Sequence, residues 1–196
     1  MFLLGLTGSI GMGKTTTAQM FVDEGCALWD ADAAVHRLYA RGGAAVALFE
    51  AEFPEAIIDG AVSRPALKKI IYRTPDALPR IERIVHPLVA KDRAAFVATA
   101  DSDIVVLDIP LLFETGGEAR VNATACVYVD DETQEKRVME RGTMTPEQFA
   151  AIRSKQLPAQ EKCARADYVI ETYTLEGARA RVHSIVNEIR SKLHDA

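Results

Sequence analysis

The sequence contains few cysteines and no cluster of basic residues, and each shortage argues against a class of protein. Its 3 cysteines are far apart and show no CxxC spacing, which gives no sign of a disulfide framework or a zinc site and fits a reducing cytoplasm. There is no basic stripe, and the net charge is -5, so we expect no nucleic-acid partner.

Long apolar runs are also missing. The N-terminal run covers only residues 1–6 before Thr7 and Gly8 follow, which is too short for a signal peptide's apolar part or a membrane span. The sequence therefore predicts a soluble, unprocessed cytoplasmic protein without a membrane partner. With 196 residues, 48% of them hydrophobic, it can form one core with a small subdomain. We expect a single domain over residues 1–196, as a monomer or weak homo-oligomer.

Short apolar runs alternate with longer segments of helical periodicity, a pattern typical of repeated βα units on a parallel sheet. The runs are rich in β-branched and aromatic residues, which favour strands. The sequence therefore predicts an α/β fold with a five-stranded parallel sheet. The predicted strands are residues 2–6, 26–30, 104–108, 125–129 and 168–171.

The interval 44–100, between the second and third predicted strands, is far longer than one crossover helix needs. Ser63 is a candidate helix cap, and Thr74-Pro75 resembles a second helix start with proline at the first position. Pro79 and Pro87 are predicted helix boundaries or kinks. We interpret this interval as a helical insertion.

A second interruption follows the fourth predicted strand. One helix is predicted to begin at Asp131, and the residues from Thr145 to Gln148 form a capping box that begins another. This second helix is predicted to end at Pro158. Residues 175–193 then have the apolar spacing of an amphipathic helix that packs on the sheet.

The segment Gly8-x-x-x-x-Gly13-Lys14-Thr15 matches a phosphate-binding P-loop, and it lies between a predicted strand and a predicted helix as that motif requires. Glycines allow successive backbone N–H groups to face phosphate oxygens, and the helix N-terminus adds positive potential. We expect Lys14 to neutralise the β- and γ-phosphates and the Thr15 hydroxyl to ligate Mg²⁺. The chain lacks the Asn-Lys-x-Asp and Asp-x-x-Gly motifs of GTPases. The predicted ATP-binding residues are Gly8, Gly11, Met12, Gly13, Lys14, Thr15 and Thr16.

Two carboxylates, Asp30 and Asp32, come at the end of the second predicted strand, at the edge where parallel sheets bind ligands. In phosphoryl transfer to an alcohol, a carboxylate can orient the hydroxyl and accept its proton. Asp32 is our candidate base. The alternative is that both residues cap a helix and complement its dipole, with Asp30 better placed as the cap.

Further motifs follow one another along nearly the whole chain. They are residues 5–16, Asp-Ala-Asp at 30–32, His-Pro at 86–87, Asp-Ile-Pro-Leu-Leu-Phe-Glu at 108–114, Arg137 with Arg141, Arg153 with Gln156 and Gln160, and 166–170. Together they resemble the motifs of the dephospho-coenzyme A kinase family. Two departures are visible, because Ser9 and Met12 stand where the family often has Gly and Ser, and Glu171-Thr172-Tyr173 replaces an Asn-Gly type turn. The resemblance therefore does not imply an adenine contact in that turn.

The resemblance implies a three-layer α/β/α P-loop kinase with strand order 2-3-1-4-5. It implies transfer of the γ-phosphate of ATP to the ribose 3′-hydroxyl of dephospho-coenzyme A, giving coenzyme A and ADP, with Mg²⁺ as cofactor. This is the last step of coenzyme A biosynthesis, and Asp32 would be its catalytic carboxylate. The implied subregions are a core of residues 1–43, 101–140 and 159–196, a substrate-binding insertion at 44–100, and a lid at 141–158 that excludes water.

The same resemblance implies further site residues. Asp108 could hold Mg²⁺ directly or through water, in the manner of a Walker B acid, or else cap the next turn. Substrate contacts are expected at His86, Pro87 and Leu111, although His86 by its position alone suggests a turn histidine. Arg141 begins the lid and is our candidate catalytic cation.

Other assignments stay open at this point. Glu114 is equally a structural or a substrate-facing residue. Arg137 shares a helix face with Arg141, but the favoured interpretation for it is a solvated charged face or a local ion pair, such as one with Glu140. Another small-molecule kinase, acting on a nucleoside or a sugar, is the nearest alternative function, and a nucleotide-dependent switch is the alternative from another class.

Overall fold

The computed structural model describes residues 1–195, so Ala196, which belongs to the predicted core, lies outside the described residues. The chain forms two units, one made of Met1–Trp29 with the chain from Ala100 onward, the other of Asp30–Thr99. The strands are β1 (Phe2–Thr7), β2 (Ala27–Asp30), β3 (Ile57–Ile58), β4 (Ala61–Val62), β5 (Ile104–Asp108), β6 (Ala123–Tyr128) and β7 (Tyr168–Glu171). The helices are α1 (Lys14–Asp23), α2 (Ala31–Tyr39), α3 (Val46–Glu52), α4 (Arg64–Arg73), α5 (Ala77–Thr99), α6 (Asp131–Glu140), α7 (Pro146–Arg153), α8 (Ala159–Arg165) and α9 (Leu175–His194).

The first unit is built on a parallel sheet with the strand order β2-β5-β1-β6-β7. Counting only these five strands, this is the predicted order 2-3-1-4-5. Every residue of β5 is buried, as expected for a strand covered on both faces by helices. The predicted α/β fold is therefore confirmed. Leu6 pairs with Asp108, so the carboxyl ends of β1 and β5 lie side by side.

The C-terminal helix α9 packs against α1 and β7. Leu175 is 69% exposed, but the rest of the predicted apolar stripe faces the core. Its buried residues are Ala178, Val182, Ile185, Val186 and Ile189. Their spacing of three and four residues is the reason that one helix face can cover the sheet.

The second unit has its own core, built from α2 to α5. The rings of Tyr39 and Phe49 meet edge to face with their centroids 5.4 Å apart. The Arg80 guanidinium lies 4.6 Å from the centroid of the Phe53 ring and bonds to Glu52 at 2.7 Å. The Arg80 guanidinium thus packs on an aromatic ring of this second core by a cation–π contact.

Strands β3 and β4 form a hairpin in the second unit that the sequence analysis did not predict. Its turn is Asp59-Gly60, with φ angles of 52° and 76°. An Asp-Gly pair between short apolar pairs is a known signal for such a turn, because glycine adopts positive φ without strain.

Helix boundaries in the second unit differ in part from the prediction. Ser63 caps α4 as expected, but Thr74-Pro75 does not begin a helix, since Thr74 ends α4 and α5 begins at Ala77. Pro79 falls in the first turn of α5, where an N–H group has no intrahelical partner. Pro87 lies inside α5, so it is not a boundary, because a helix of 23 residues can lose one hydrogen bond and continue.

The second unit begins at Asp30 and so contains α2, which the sequence analysis placed with the core. The functional division into core, insertion and lid remains a proposal. Between residues 1 and 195, no helix combines the length and the hydropathy that crossing a membrane requires.

Candidate functional site

The loop between β1 and α1 has two glycines with very close neighbours. A Cβ atom at Gly8 would lie 2.2 Å from Cγ2 of Val127 on β6. Gly11 has a φ of 80°, in the left-handed region, and a Cβ atom there would lie 2.5 Å from Cγ2 of Val138 on α6. Larger residues would push the loop away from β6 at Gly8 and away from α6 at Gly11, so its course depends on both glycines.

The N-terminus of α1 follows directly from this loop. Gly13 precedes the helix without contributing a side-chain cap, and the first turn carries no acidic residue. Thr15 and Thr16 in that turn are exposed. The first N–H groups of α1 therefore keep their capacity to bind an anion, together with the positive end of the helix dipole.

Lys14 and Asp108 form an ion pair at the carboxyl edge of the sheet. The Asp108 side chain is 3% exposed and that of Lys14 is 17% exposed, so the pair is largely removed from water. The pairing of β1 with β5 explains the contact, because it places the P-loop that follows β1, and with it Lys14, beside the end of β5. The structure thus brings together two of the predicted site residues.

Arg137 neither lies on a solvated charged face nor pairs with Glu140, the two forms of the favoured interpretation of the sequence. Its guanidinium donates to the Thr172 carbonyl oxygen at 2.7 Å and to Thr172 Oγ1 at 3.3 Å. Arg141 is the C-cap residue of α6 and is exposed. The two arginines therefore have different surroundings although they are four residues apart.

A cavity of about 160 Å³ lies beside the loop and the first turn of α1. Both arginines border it, and so does the segment that follows β7. The residues that line it are Gly13, Thr16, Thr17, Met20, Arg137, Arg141, Thr172, Thr174, Leu175 and Ala178. The predicted residues Gly13, Thr16 and Arg141 therefore share one cavity.

A second cavity of about 510 Å³ lies between the loop and the segment predicted to be a lid. Ser9, Arg153 and Gln156 are among its lining residues. Gln156 accepts a hydrogen bond at 3.4 Å from the backbone N–H of Ile10, and Arg153 forms an ion pair with Asp131. The capping box of Thr145 and Gln148 that begins α7 is present as predicted.

The segment after β5 is held by a buried lysine that the sequence analysis did not single out. Lys162 donates to Glu114 Oε1 at 2.8 Å and to the Pro110 carbonyl oxygen at 3.2 Å. Burial alone would raise the pKa of the Glu114 carboxyl, but hydrogen bonds from Lys162 and from the Leu157 N–H hold that pKa below its usual range. Glu114 therefore joins the segment after β5 to α8 and to the residues before it, whereas Leu111, three residues earlier, is 41% exposed.

Asp32, His86 and Pro87 all belong to the second unit. The Asp30 carboxylate accepts from the N–H of Ala33 at 2.9 Å, so Asp30 caps α2 as expected. Asp32 lies in the first turn of α2 and is exposed, and its carboxylate makes no hydrogen bond or ion pair within residues 1–195. His86 and Pro87 are exposed on α5, so His86 is helical and not a turn residue.

Comparisons with known proteins agree on one family. The sequence matches the family model described as dephospho-CoA kinase over residues 2–175. The dephospho-CoA kinase of Ruegeria pomeroyi is 68% identical over 190 residues, covering 97% of this chain and 96% of that protein. A crystal structure of a Thermus thermophilus protein superposes with a TM-score of 0.86 at 33% identity, over 95% of this chain and 96% of that one. A dephospho-CoA kinase from Campylobacter jejuni has a similar fold, with a TM-score of 0.69 at 23% identity over 95% and 96% of the two chains.

Proposed function

The chain belongs to the dephospho-coenzyme A kinase family, and from that membership we propose which of its residues carry out the reaction. The reaction transfers the γ-phosphate of ATP to the ribose 3′-hydroxyl of dephospho-coenzyme A and yields coenzyme A and ADP. The P-loop, which leads from β1 into the first turn of α1 and includes Lys14, is the observation that most supports these assignments. In phosphoryl transfer, positioning and charge stabilisation supply most of the catalysis.

The donor's phosphates bind to the loop amides and to the first turn of α1. Lys14 is the cation for the β- and γ-phosphates, and its flexible ammonium can leave Asp108 to reach them. The donor's adenine occupies the cavity of about 160 Å³ that both arginines border. A guanidinium plane can stack on a base there, which gives Arg137 a role at the cavity in addition to its bonds to Thr172.

Thr15 and Asp108 are the residues that would hold Mg²⁺. A hydroxyl and a carboxylate are hard oxygen donors, which suit this ion, and Asp108 stands at the end of β5 with Lys14 beside it. Among residues 1–195 there is no cluster of three or more His, Cys, Asp or Glu side chains that could cage a metal. Two oxygen ligands from the protein suit an ion that is otherwise coordinated by substrate phosphates, and when bound it would supply charge neutralisation there.

The acceptor hydroxyl is activated by Asp32. Its exposed carboxylate, unpaired within residues 1–195, can accept the proton of the 3′-hydroxyl as the phosphoryl group arrives. His86, Pro87 and Leu111 contact the acceptor, and residues 44–100 form its binding region. Residues 141–158 close as a lid, from which Arg141 brings positive charge to the transferring group.

A cytoplasmic location, a monomeric or weakly associated state and the absence of a nucleic-acid partner stay predictions of the sequence.

A coupled assay of ADP release tests the reaction. We expect rapid release with dephospho-coenzyme A and little with adenosine or sugars, and mass spectrometry should show one phosphate added to the acceptor. Lys14→Ala should abolish turnover, because the loop loses its only side-chain cation for the phosphates. ADP release that does not depend on the acceptor, or full activity in Lys14→Ala, would contradict the proposed function.

A further inference from the structure

Two peptide groups of the P-loop are held from outside by buried side chains. The Gln134 Nε2 donates to the carbonyl oxygen of Ile10 at 2.7 Å, and the Thr172 hydroxyl donates to the carbonyl oxygen of Met12 at 2.7 Å. Gln134 is 1% exposed and Thr172 is 9% exposed, so both bonds are shielded from water. These residues belong to α6 and to the segment after β7, far from the loop in sequence.

Both of these peptides precede a glycine. Gly11 and Gly13 have φ angles of 80° and 85°, in the left-handed region. Glycine has no Cβ atom to restrict it, so the peptide before each glycine can turn about its own axis at little steric cost. An unanchored loop would therefore sample orientations in which these two N–H groups point away from the phosphates.

The carbonyl anchors also fix the neighbouring N–H groups. In a planar trans peptide, the C=O and N–H bonds point in opposite directions. When the Met12 carbonyl points to Thr172, the Gly13 N–H must point to the other side of the loop. The Ile10 carbonyl and the Gly11 N–H are related in the same way through Gln134.

Arg137 gives the Thr172 hydroxyl its direction. A threonine hydroxyl has one hydrogen to donate, and an arginine can only donate. Since Arg137 Nη1 donates to Thr172 Oγ1 at 3.3 Å, the hydroxyl hydrogen is left for the Met12 carbonyl. The bond from Arg137 to the Thr172 carbonyl, at 2.7 Å, holds the backbone of the same residue.

We propose that Thr172, oriented by Arg137, and Gln134 are positioning residues that aim the N–H groups of Gly13 and Gly11 at the donor's phosphates. The proposal rests on the proposed function, because it takes the P-loop to be the ATP site. It assigns a role to Thr172, at the place where the chain departs from its family's usual turn. Neither residue touches the phosphates itself, so each acts through the loop backbone.

Calorimetric titration with ADP, without acceptor, tests the proposal independently of phosphoryl transfer. Thr172→Val keeps the side-chain shape but leaves the Met12 carbonyl without its donor, and we expect about tenfold weaker ADP binding. Thr172→Ser retains the hydroxyl and should restore most of the affinity. In the ADP-release assay, the KM for ATP should rise in Thr172→Val while the KM for dephospho-coenzyme A stays unchanged.

A matched control is Thr124→Val on β6. Thr124 is also buried, and its hydroxyl donates to Asp167 at 2.9 Å, outside the loop. This change should lower the melting temperature without changing ADP affinity. Gln134→Met tests the other peptide and should weaken ADP binding as Thr172→Val does, which keeps the proposal testable if one variant folds poorly.

Three results would overturn the proposal. They are wild-type ADP affinity in both Thr172→Val and Gln134→Met, equally weak binding by Thr172→Ser, or an equal loss in Thr124→Val. If the wild type binds ADP but does not phosphorylate dephospho-coenzyme A, the proposed function fails while the positioning of the loop can still be judged from ADP binding.

Discussion

Lys162 and Glu114 form an ion pair of 2.8 Å in which the lysine side chain has no exposure to solvent. The carboxylate also accepts from the N–H of Leu157 at 3.0 Å, just before α8. The Glu114 carboxylate thus ties the segment after β5 both to Lys162 on α8 and to the end of the predicted lid. Removing one member of such a pair leaves an uncompensated charge, which costs far more than the pair contributes.

The first prediction concerns Lys162→Met. The variant should lose about 3 kcal/mol of stability, and its melting temperature should fall by roughly 6–12 °C. Urea or thermal unfolding checks this. Lys192→Met is the control, since Lys192 is 63% exposed in its pair with Glu188, and it should change stability by at most about 0.5 kcal/mol. Equal stability of the two variants would show that Lys162 is not a buried anchor.

The second prediction concerns pH. Because the folded protein holds the pKa of Glu114 below its usual value, this carboxylate stabilises the fold above the unfolded pKa, and the contribution is lost as pH falls through the folded pKa. Glu114→Gln should therefore be less stable than wild type at pH 7. The difference should shrink below about pH 4, where the unfolded carboxyl becomes protonated. Urea unfolding across this range measures it, and a difference that grows on acidification would contradict the assignment.

Contiguous patterns were predictable from the sequence, and contacts between distant segments were not. The P-loop, the strand order and the caps at Ser63 and Thr145 follow from residues adjacent in the chain or from the family resemblance. Nothing near Lys162 distinguishes it from an exposed lysine, because its burial depends on α8 packing against β6. Thr172 likewise reaches Met12 only because β7 pairs with β6 and β6 with β1. The burial and the contacts of such residues depend on tertiary structure and not on the residues adjacent to them in the chain.

The third prediction separates the two aspartates that begin α2. Asp32→Asn should lower kcat by roughly 10²- to 10⁴-fold, because the proton acceptor is lost, with little change in the KM for ATP. Asp30→Asn should keep both stability and kcat, since asparagine caps a helix as well as aspartate does. Steady-state kinetics on both variants decides the matter. A large kcat loss in Asp30→Asn with a normal Asp32→Asn would assign the base to Asp30.

The fourth prediction concerns the metal. A chelator should stop ADP release, and added Mg²⁺ should restore it. Thr15→Val removes the proposed hydroxyl ligand, so it should raise the Mg²⁺ concentration needed for half-maximal activity by about tenfold or more. Thr16→Val is the neighbouring control, since Thr16 is also exposed in the first turn and is assigned to the nucleotide. An unchanged Mg²⁺ requirement in Thr15→Val would remove Thr15 from the metal site.

The last prediction concerns Arg141, the exposed C-cap residue of α6 at the start of the predicted lid. Arg141→Ala should slow turnover by roughly 10- to 10³-fold, because a cation aimed at the transferring phosphoryl group stabilises its transition-state charge. The melting temperature should stay the same, since within residues 1–195 the Arg141 side chain makes no hydrogen bond or ion pair that the fold depends on.

Arg141→Lys refines the test. Lysine keeps the charge but cannot bind two phosphate oxygens at once, so partial activity is expected. Single-turnover measurements at saturating ATP and acceptor separate chemistry from binding. If Arg141→Ala raises only the KM for ATP and leaves the single-turnover rate intact, Arg141 serves the adenine cavity that it borders and not phosphoryl transfer.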